Sequence, residues 1–316
     1  MGRMLDSLLD SLKGYWRVAE AYQRFLYRLS SLFLVSAALH AVVFVLDDRP
    51  WEGPLSWRKP LLFSLSFALV CASLAWVMTF LPRRRRAGWF LLGSFGFASF
   101  GETALISLQA WRGTASHFNS ATVFDEAVFA AMGMLIVVVV ADIVVLTLWS
   151  LKSLDAPASF ALAIKAGLLL MVVGQGLGGL LIREGTRQEE LGPVTSPLVF
   201  GQDGILNLSH AAALHALQLL PVLAWLLSFS GRTESQRTKI VGVAACGYAG
   251  LVLLTGLQAL GGRAPFDLSG VGAVVLVVSA SAILAASVVA LVGSGPVAFR
   301  QAADSPRSSS PCPAIG

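Results

Sequence analysis

The chain has 316 residues, of which 56% are hydrophobic and only 13% are charged. A soluble globular domain carries about a quarter charged residues, whereas the apolar residues here form blocks long enough to cross a bilayer. The composition therefore excludes an ordinary soluble enzyme. We attribute the net charge of +5 to membrane topology and contact with lipid headgroups rather than to nucleic-acid binding.

The first 24 residues are predicted to form an amphipathic segment on the cytoplasmic side. One helical face of this segment collects apolar side chains, namely Leu5, Leu8, Leu9, Leu12 and Trp16. The pattern is typical of a helix that lies in the headgroup plane, and a helix docked on a soluble partner would show the same pattern. No cleavable signal peptide is expected before the first span.

Eight apolar segments follow, each close to the roughly 20 residues that the bilayer core requires. They cover residues 26–46, 60–81, 88–110, 127–150, 160–182, 209–229, 239–260 and 270–292. The sequence therefore predicts an all-α fold, a polytopic membrane helix bundle of about eight transmembrane helices. The tail at 297–316 lacks apolar periodicity, so we expect it to be disordered.

The basic residues are distributed unequally between the two sides of the predicted bundle. Fifteen of the 23 Lys and Arg residues fall on the side of the termini, and seven fall on the opposite side. Because cytoplasmic loops carry the excess of Lys and Arg, both termini are predicted to be cytoplasmic in the plasma membrane of a bacterium.

An internal repeat is predicted from the alignment of the chain with itself. Residues 74–113 align without a gap with residues 223–262 at an offset of 149, and twelve of forty positions are identical. The offset pairs the second span with the sixth and the third with the seventh. This predicts a first four-helix half at 25–150 and a second at 151–296, related in parallel orientation by a pseudo-twofold axis. Apolar segments also match one another by chance.

Polar residues within the spans are the candidates for function. Glu102 lies nine residues before Trp111, or about 13 Å deeper in the bilayer at 1.5 Å per residue. Gln109 follows on the same helical face, and His117 and Asn119 come just outside the span. Since an ionisable residue at this depth is costly, we interpret this strip as functional, although a protonated Glu bonded to a neighbouring helix would look the same.

The remaining histidines also fall in the predicted outer half. His210 and His215 are five residues apart and do not share a helical face, whereas His215 and Gln218 do. His40 lies in the outer half of the first span. Together with Asp125, these residues predict an outward-facing polar site that binds a metal, a haem or a polar ligand as its cofactor or substrate. Each His alone is more often a hydrogen-bonded core residue.

Asp142 interrupts an apolar run in the fourth span, and Lys165 follows in the fifth span from the same side. The spacing predicts an ion pair that joins the two helices, with a step in a proton relay as the alternative.

Three stretches resemble a group of uncharacterised bacterial multi-pass membrane proteins to which no activity is assigned. They are LSWRKPLLF at 55–63, QAWRG at 109–113 followed by SHFN at 116–119, and HALQLLP at 215–221. The resemblance implies that the residues to test are Lys59, Glu102, Gln109, His117, Asn119, His215 and Gln218.

The sequence leaves three functions open. The first is a cofactor site for membrane-associated redox or hydrolytic chemistry, the second is a small-solute or proton-coupled transporter, and the third is a membrane scaffold or assembly factor. The predicted partners are the lipid bilayer and a small molecule, and no nucleic acid is expected.

Overall fold

The protein is described here by a computed structural model that covers residues 2–191 and 199–293. The helices in chain order are α1 (Gly2–Val18), α2 (Ala21–Leu46), α3 (Arg58–Val77), α4 (Arg85–Trp111), α5 (Val123–Ser153), α6 (Ala158–Glu189), α7 (Leu206–Ser228), α8 (Glu234–Leu260) and α9 (Gly270–Gly293). A short 3-10 turn, Met78–Phe80, extends α3. The tail predicted at 297–316 lies outside the described residues.

Eight of these helices, α2 to α9, are long and apolar enough to cross a membrane. This confirms the predicted all-α polytopic helix bundle, including the glycine-rich seventh span, which α8 forms. The protein is therefore a multi-pass membrane protein. The loops at 47–57, 112–122 and 261–269, with residues 190–191 and 199–205, follow every second membrane helix and so lie at one end of the bundle, which the charge distribution predicts to be the outer end.

Helix α1 ends at Val18 and α2 begins at Ala21, so α2 starts within the segment predicted at residues 1–24. Glu20 caps α2 through a capping box with Gln23, which satisfies free N–H groups at the start of the helix. Leu9, Leu12 and Trp16 of α1 remain exposed, as expected for a helix in the headgroup region.

The other face of α1 packs against two tryptophans of the bundle. Tyr15 stacks edge-on against Trp76 of α3, with 5.6 Å between the ring centroids. Trp225 of α7 donates a hydrogen bond from its indole Nε1 to Ser11 Oγ at 3.1 Å. The helix α1 therefore bridges α3 and α7 at the predicted cytoplasmic end.

The first four membrane helices and the last four share four corresponding contacts. The pairs α2–α3, α2–α4, α3–α4 and α4–α5 are in contact, and so are α6–α7, α6–α8, α7–α8 and α8–α9; the second half also has an α7–α9 contact. Between these groups, α3 meets α7 and α5 meets α6. We call α2–α5 the first half and α6–α9 the second half. The boundary predicted at 150 falls in the last turn of α5, which ends at Ser153.

Helices α4 and α8 also end in the same way. Gly113 and Gly262 have φ of 69° and 72°, the left-handed conformation that glycine adopts without steric cost. The N–H of each glycine bonds to the carbonyl three residues earlier, and the next N–H bonds to the carbonyl five residues before it, on Gln109 and Gln258. Both ends are therefore Schellman motifs. The two helices also begin 149 residues apart and have the same length of 27 residues.

An apolar cluster holds the two halves together. Ile143 and Leu146 of α5 are buried against Ile164 and Leu168 of α6, and Leu217 of α7 belongs to the same cluster. These side chains are all 2% exposed or less, so the interface between the halves is packed like the core of a single domain.

Candidate functional site

Glu102 of α4 is the most unusual polar residue of the bundle. Its side chain is 1% exposed, and its Oε2 has no hydrogen-bond partner among the described residues. The other oxygen, Oε1, lies 3.9 Å from Nε2 of His117. A buried carboxylate without hydrogen bonds is costly to keep charged, so this carboxyl differs from a satisfied structural acid.

His117 covers Glu102 from the loop at 112–122. Its Nδ1 lies 2.9 Å from Ser116 Oγ, which fixes the ring so that Nε2 faces the acid. Burial and, as the smaller cause, the positive charge of Lys59 lower the pKa of His117 to about 3. His117 is therefore a neutral imidazole at pH 7, and it does not neutralise a charged Glu102.

Aromatic rings surround the His117 imidazole. Phe63 of α3 and Phe129 of α5 have ring centroids 5.8 Å and 6.0 Å from it. Lys59, one turn before Phe63 on α3, supplies the nearby positive charge. The structure thus brings Glu102, His117 and Lys59 together among aromatic side chains, and we call these three residues the Glu102 site.

Two other predicted residues, Gln109 and Asn119, build the loop rather than line the Glu102 site. Gln109 Nε2 donates to Asp125 Oδ1 at 2.9 Å, and the same oxygen accepts from Arg112 Nη1 at 2.6 Å. Asn119 donates from Nδ2 to Thr114 Oγ1 and to a backbone carbonyl at 3.0 Å and 2.9 Å. The bonds of Asp125 join the start of the loop and α4 to α5, and the bonds of Asn119 close the loop on itself around His117.

Phe118 connects this loop to the second half. It is the only non-glycine residue with positive φ among the described residues, at 53°, a conformation that costs about 1–2 kcal/mol outside glycine. Its ring lies 5.3 Å from that of Phe129 and packs against the backbone of Gly185 in α6, where no side chain would fit. The strained residue therefore seals the space between the loop and α6.

His215 and Gln218 form a second polar group at the contact between α3 and α7. His215 Nε2 lies 3.2 Å from Ser66 Oγ, and His215 Nδ1 lies 3.2 Å from the Gln218 side chain. Gln218 in turn lies 3.1 Å from Ser73 Oγ, so it bridges His215 and Ser73 in either orientation of its amide. We call these four residues the interface cluster.

His40 and His210 have structural partners. His40 Nδ1 donates to the Ser36 carbonyl at 2.8 Å, and its Nε2 accepts from Trp111 Nε1 at 3.3 Å. His210 Nδ1 donates to the Gly174 carbonyl at 2.7 Å.

The predicted metal or haem site stays a prediction, because the described residues bring no cluster of metal ligands together there. A haem held by two histidines would need two imidazoles facing each other, but His40 and His215 have separate sets of hydrogen-bond partners. Over residues 2–191 and 199–293, no three His, Cys, Asp or Glu side chains are grouped so that they could hold a metal ion. The donor set therefore gives the cofactor hypothesis no support.

The predicted ion pair between Asp142 and Lys165 is not formed. Ser94 of α4 donates to Asp142 Oδ2 at 2.9 Å, and no ion pair to Lys165 exists in the described part of the chain. The Ser94 hydroxyl on the neighbouring helix α4 satisfies the Asp142 carboxyl, so the long side chain of Lys165 in α6 does not need to reach across to α5.

Six residues of these sites are not among the candidates named from the sequence: Phe63, Ser66, Ser73, Phe118, Phe129 and Gly185. Only Ser66 carried a usable signal, because the repeat offset of 149 aligns it with His215. The positive φ of Phe118 and its packing on Gly185 have no counterpart in residue spacing.

Comparisons of the chain with protein-family models, with curated proteins and with solved structures found no match.

Proposed function

We propose that the protein is a proton-coupled carrier of a small polar solute and that Glu102 is the group that carries the proton. The observation that supports this function is the buried carboxyl whose Oε2 has no partner in the described structure. Since a charge at this place is costly, binding a proton or a cationic group stabilises the site. A carboxyl that is stabilised by a proton or a cationic group is suited to bind one and to release it again.

The path to Glu102 is proposed to open at the outer end. His117 and its loop lie between the carboxyl and that end, and the charge distribution predicts both termini to be cytoplasmic. The neutral imidazole of His117 is able to accept and donate protons at its two nitrogens, which makes it a suitable relay between the outside and Glu102.

We further propose that the two halves descend from one duplicated four-helix unit. The common packing pattern and the matching ends of α4 and α8 support this origin. Carriers are commonly built from such repeats, and their sites lie near the bilayer midplane where the repeats meet. In this protein the acid belongs to one half only, because Leu251 occupies the position in α8 that corresponds to Glu102.

Infrared spectroscopy of the protein in liposomes tests the role of Glu102 without a known solute. The carboxylic acid C=O band of Glu102 is expected to change when the outside pH changes, and to be missing in Glu102→Gln. Glu126→Gln is the matched control, since Glu126 is exposed in the first turn of α5 at the same end of the bundle. Identical difference spectra for Glu102→Gln and the native protein would refute the proposal.

Transport is then measured in liposomes that contain a pH-sensitive dye. Amino acids, monocarboxylates, polyamines and sugars are added outside one class at a time, and one class is expected to drive proton entry. The entry should vanish in Glu102→Gln and persist in Glu126→Gln. Proton entry that persists in Glu102→Gln would overturn the assignment. A Soret band or near-equimolar metal that is lost in His215→Ala would favour the cofactor hypothesis instead.

A further inference from the structure

The interface cluster lies deep in the membrane. Ser66 is eight residues into α3, and His215 is nine residues into α7, so both lie about 12–14 Å below the outer ends of their helices at 1.5 Å per residue. This depth is close to the midplane of a hydrocarbon core about 30 Å thick. Polar side chains here are costly, and they usually mark a pathway for an ion or a solute.

The same cluster lies where corresponding positions of the two halves meet. Ser66 and His215 are 149 residues apart, which is also the separation between the first residues of α4 and α8. If the halves are related by a twofold axis, two corresponding residues touch each other only near that axis. The hydrogen bond therefore places the interface cluster close to the axis, where carriers with parallel repeats are expected to bind their solutes.

One face of α3 connects the interface cluster with the Glu102 site. Lys59, Phe63, Ser66, Val70 and Ser73 follow one another at alternating spacings of four and three residues, which puts them on a single helical face. At the outer end of this face, Phe63 packs on His117. Nearer the centre, Ser66 and Ser73 contact His215 and Gln218, respectively.

From this arrangement we infer that a polar path, which admits water and small hydrogen-bonding solutes when its outer end opens, runs along this face of α3 from the Glu102 site to the interface cluster. The cluster is then a second binding site of the carrier, and its hydroxyl, imidazole and amide groups recognise an uncharged polar group of the solute. The inference rests on the proposed function for the identity of the cargo, but the existence of the path is independent of it.

Phe118 closes the outer end of the path in this structure. Its ring fills the space against Gly185 and lies beside Phe129, directly next to His117 in the chain. Replacement by glycine removes the ring and also relieves the strained backbone, because glycine adopts positive φ without cost. Phe118→Gly is therefore expected to open the path without disturbing the loop.

Thiol labelling in liposomes tests the path. Cys71, Cys246 and Cys312 are first replaced by serine, and single cysteines are then placed at Ser66 or Ser73 on the proposed path. The controls are Leu65→Cys and Leu69→Cys, which lie at the same depth on the exposed apolar side of α3. The reagent is a positively charged, membrane-impermeant methanethiosulfonate added from outside.

The two path positions are expected to react at least about tenfold faster than the two leucine positions, because the reagent attacks a hydrated thiolate and is excluded from lipid. Adding Phe118→Gly should raise the rate at Ser66→Cys by roughly another tenfold and leave Leu65→Cys unchanged. Equal rates at all four positions, with and without Phe118→Gly, would overturn the inference, provided that every thiol reacts after unfolding in SDS.

The labelling result and the transport result are separable. If the labelling pattern is found while Glu102→Gln still exchanges protons, the path stands and the assignment of Glu102 falls. If proton exchange depends on Glu102 while Ser66→Cys reacts no faster than Leu65→Cys, the carrier stands and the path along α3 falls.

Discussion

Replacing Gly185 by alanine has two opposing effects on the free energy of unfolding, because Gly185 lies where the loop packs on α6. A glycine inside a helix costs about 1 kcal/mol relative to alanine, so the substitution alone would stabilise α6. However, a Cβ at this position would lie 2.5 Å from Cε2 of Phe118 and closer still to its Cζ, where ordinary contacts begin at 3.4 Å. The ring would have to withdraw by roughly 1 Å to restore normal packing.

Phe118 has little freedom to withdraw. Its backbone is already strained at φ 53°, and its ring lies between those of His117 and Phe129. Overpacking of this kind costs about 1–3 kcal/mol, which exceeds or cancels the gain in helix propensity. We therefore expect Gly185→Ala to lower the free energy of unfolding by up to about 2 kcal/mol, measured by SDS titration of the protein in mild detergent with tryptophan fluorescence as the signal.

Gly179→Ala is the matched control, because Gly179 lies in the same helix and a Cβ there meets nothing within 4 Å. It should stabilise the protein by about 0.5–1 kcal/mol. Adding Phe118→Ala to Gly185→Ala removes the overlap, so the helix propensity of alanine should then be recovered. If Gly185→Ala stabilises the protein as much as Gly179→Ala does, the Phe118 ring does not pack on α6 and the reasoning fails.

The pH dependence of stability should report the buried imidazole of His117. The pKa of His117 is lowered to about 3 in the folded state, whereas an imidazole in the unfolded chain has the usual pKa of about 6.5. The stability that the neutral imidazole contributes is therefore complete above about pH 6.5 and is lost as the pH falls towards 3. The free energy of unfolding should therefore fall by roughly 2 kcal/mol between pH 7 and pH 5 in the native protein and by less in His117→Asn. Asp125→Ala should lower the melting temperature in detergent more than Asp267→Ala does, because Asp125 is buried with several donors whereas Asp267 is exposed beside one arginine. Tyr15→Ala should loosen α1 from the bundle and speed cleavage after Glu20 by a Glu-specific protease, since Tyr15 packs on α3.

Each of these predictions has a clear contrary result. Parallel stability curves for the native protein and His117→Asn would mean that the imidazole is not buried. Equal effects of the two aspartate substitutions would mean that Asp125 does not hold the loop. An unchanged cleavage rate in Tyr15→Ala would show that the ring contact does not fix α1.

The helices of the bundle were predictable because the bilayer imposes a length on each apolar segment. All eight spans are found, and even the segment that forms α8 is helical despite its glycines. Gly247 and Gly250 allow α9 to approach α8 closely, since a Cβ at either position would meet Ser279. The start of α2 was predicted too late, because the capping box of Glu20 and Gln23 lies in a region that also reads as amphipathic helix.

The polar contacts were predictable only where they depend on neighbouring positions within a helix. His215 and Gln218 share a face by their spacing, and the structure shows them in contact. The approach of His117 to Glu102 depends instead on the path of the loop, and the partner of Asp142 depends on how α4 packs on α5. Such contacts are set by tertiary packing, which residue spacing does not encode.

The ends of α4 and α8, at Gly113 and Gly262, have the same backbone conformation and so allow a comparison within one molecule. After the same left-handed turn, the chain continues towards Val123 in the first half and towards Gly270 in the second. Only the loop after Gly113 carries a histidine, His117, that lies next to a buried acid, Glu102. A comparison that normally needs two proteins is therefore available inside one: Leu251→Glu would place a carboxyl at the corresponding depth of α8, without a histidine to cover it. Comparing the carboxyl of Leu251→Glu with that of Glu102 would therefore show how much the covering histidine changes the behaviour of a buried acid.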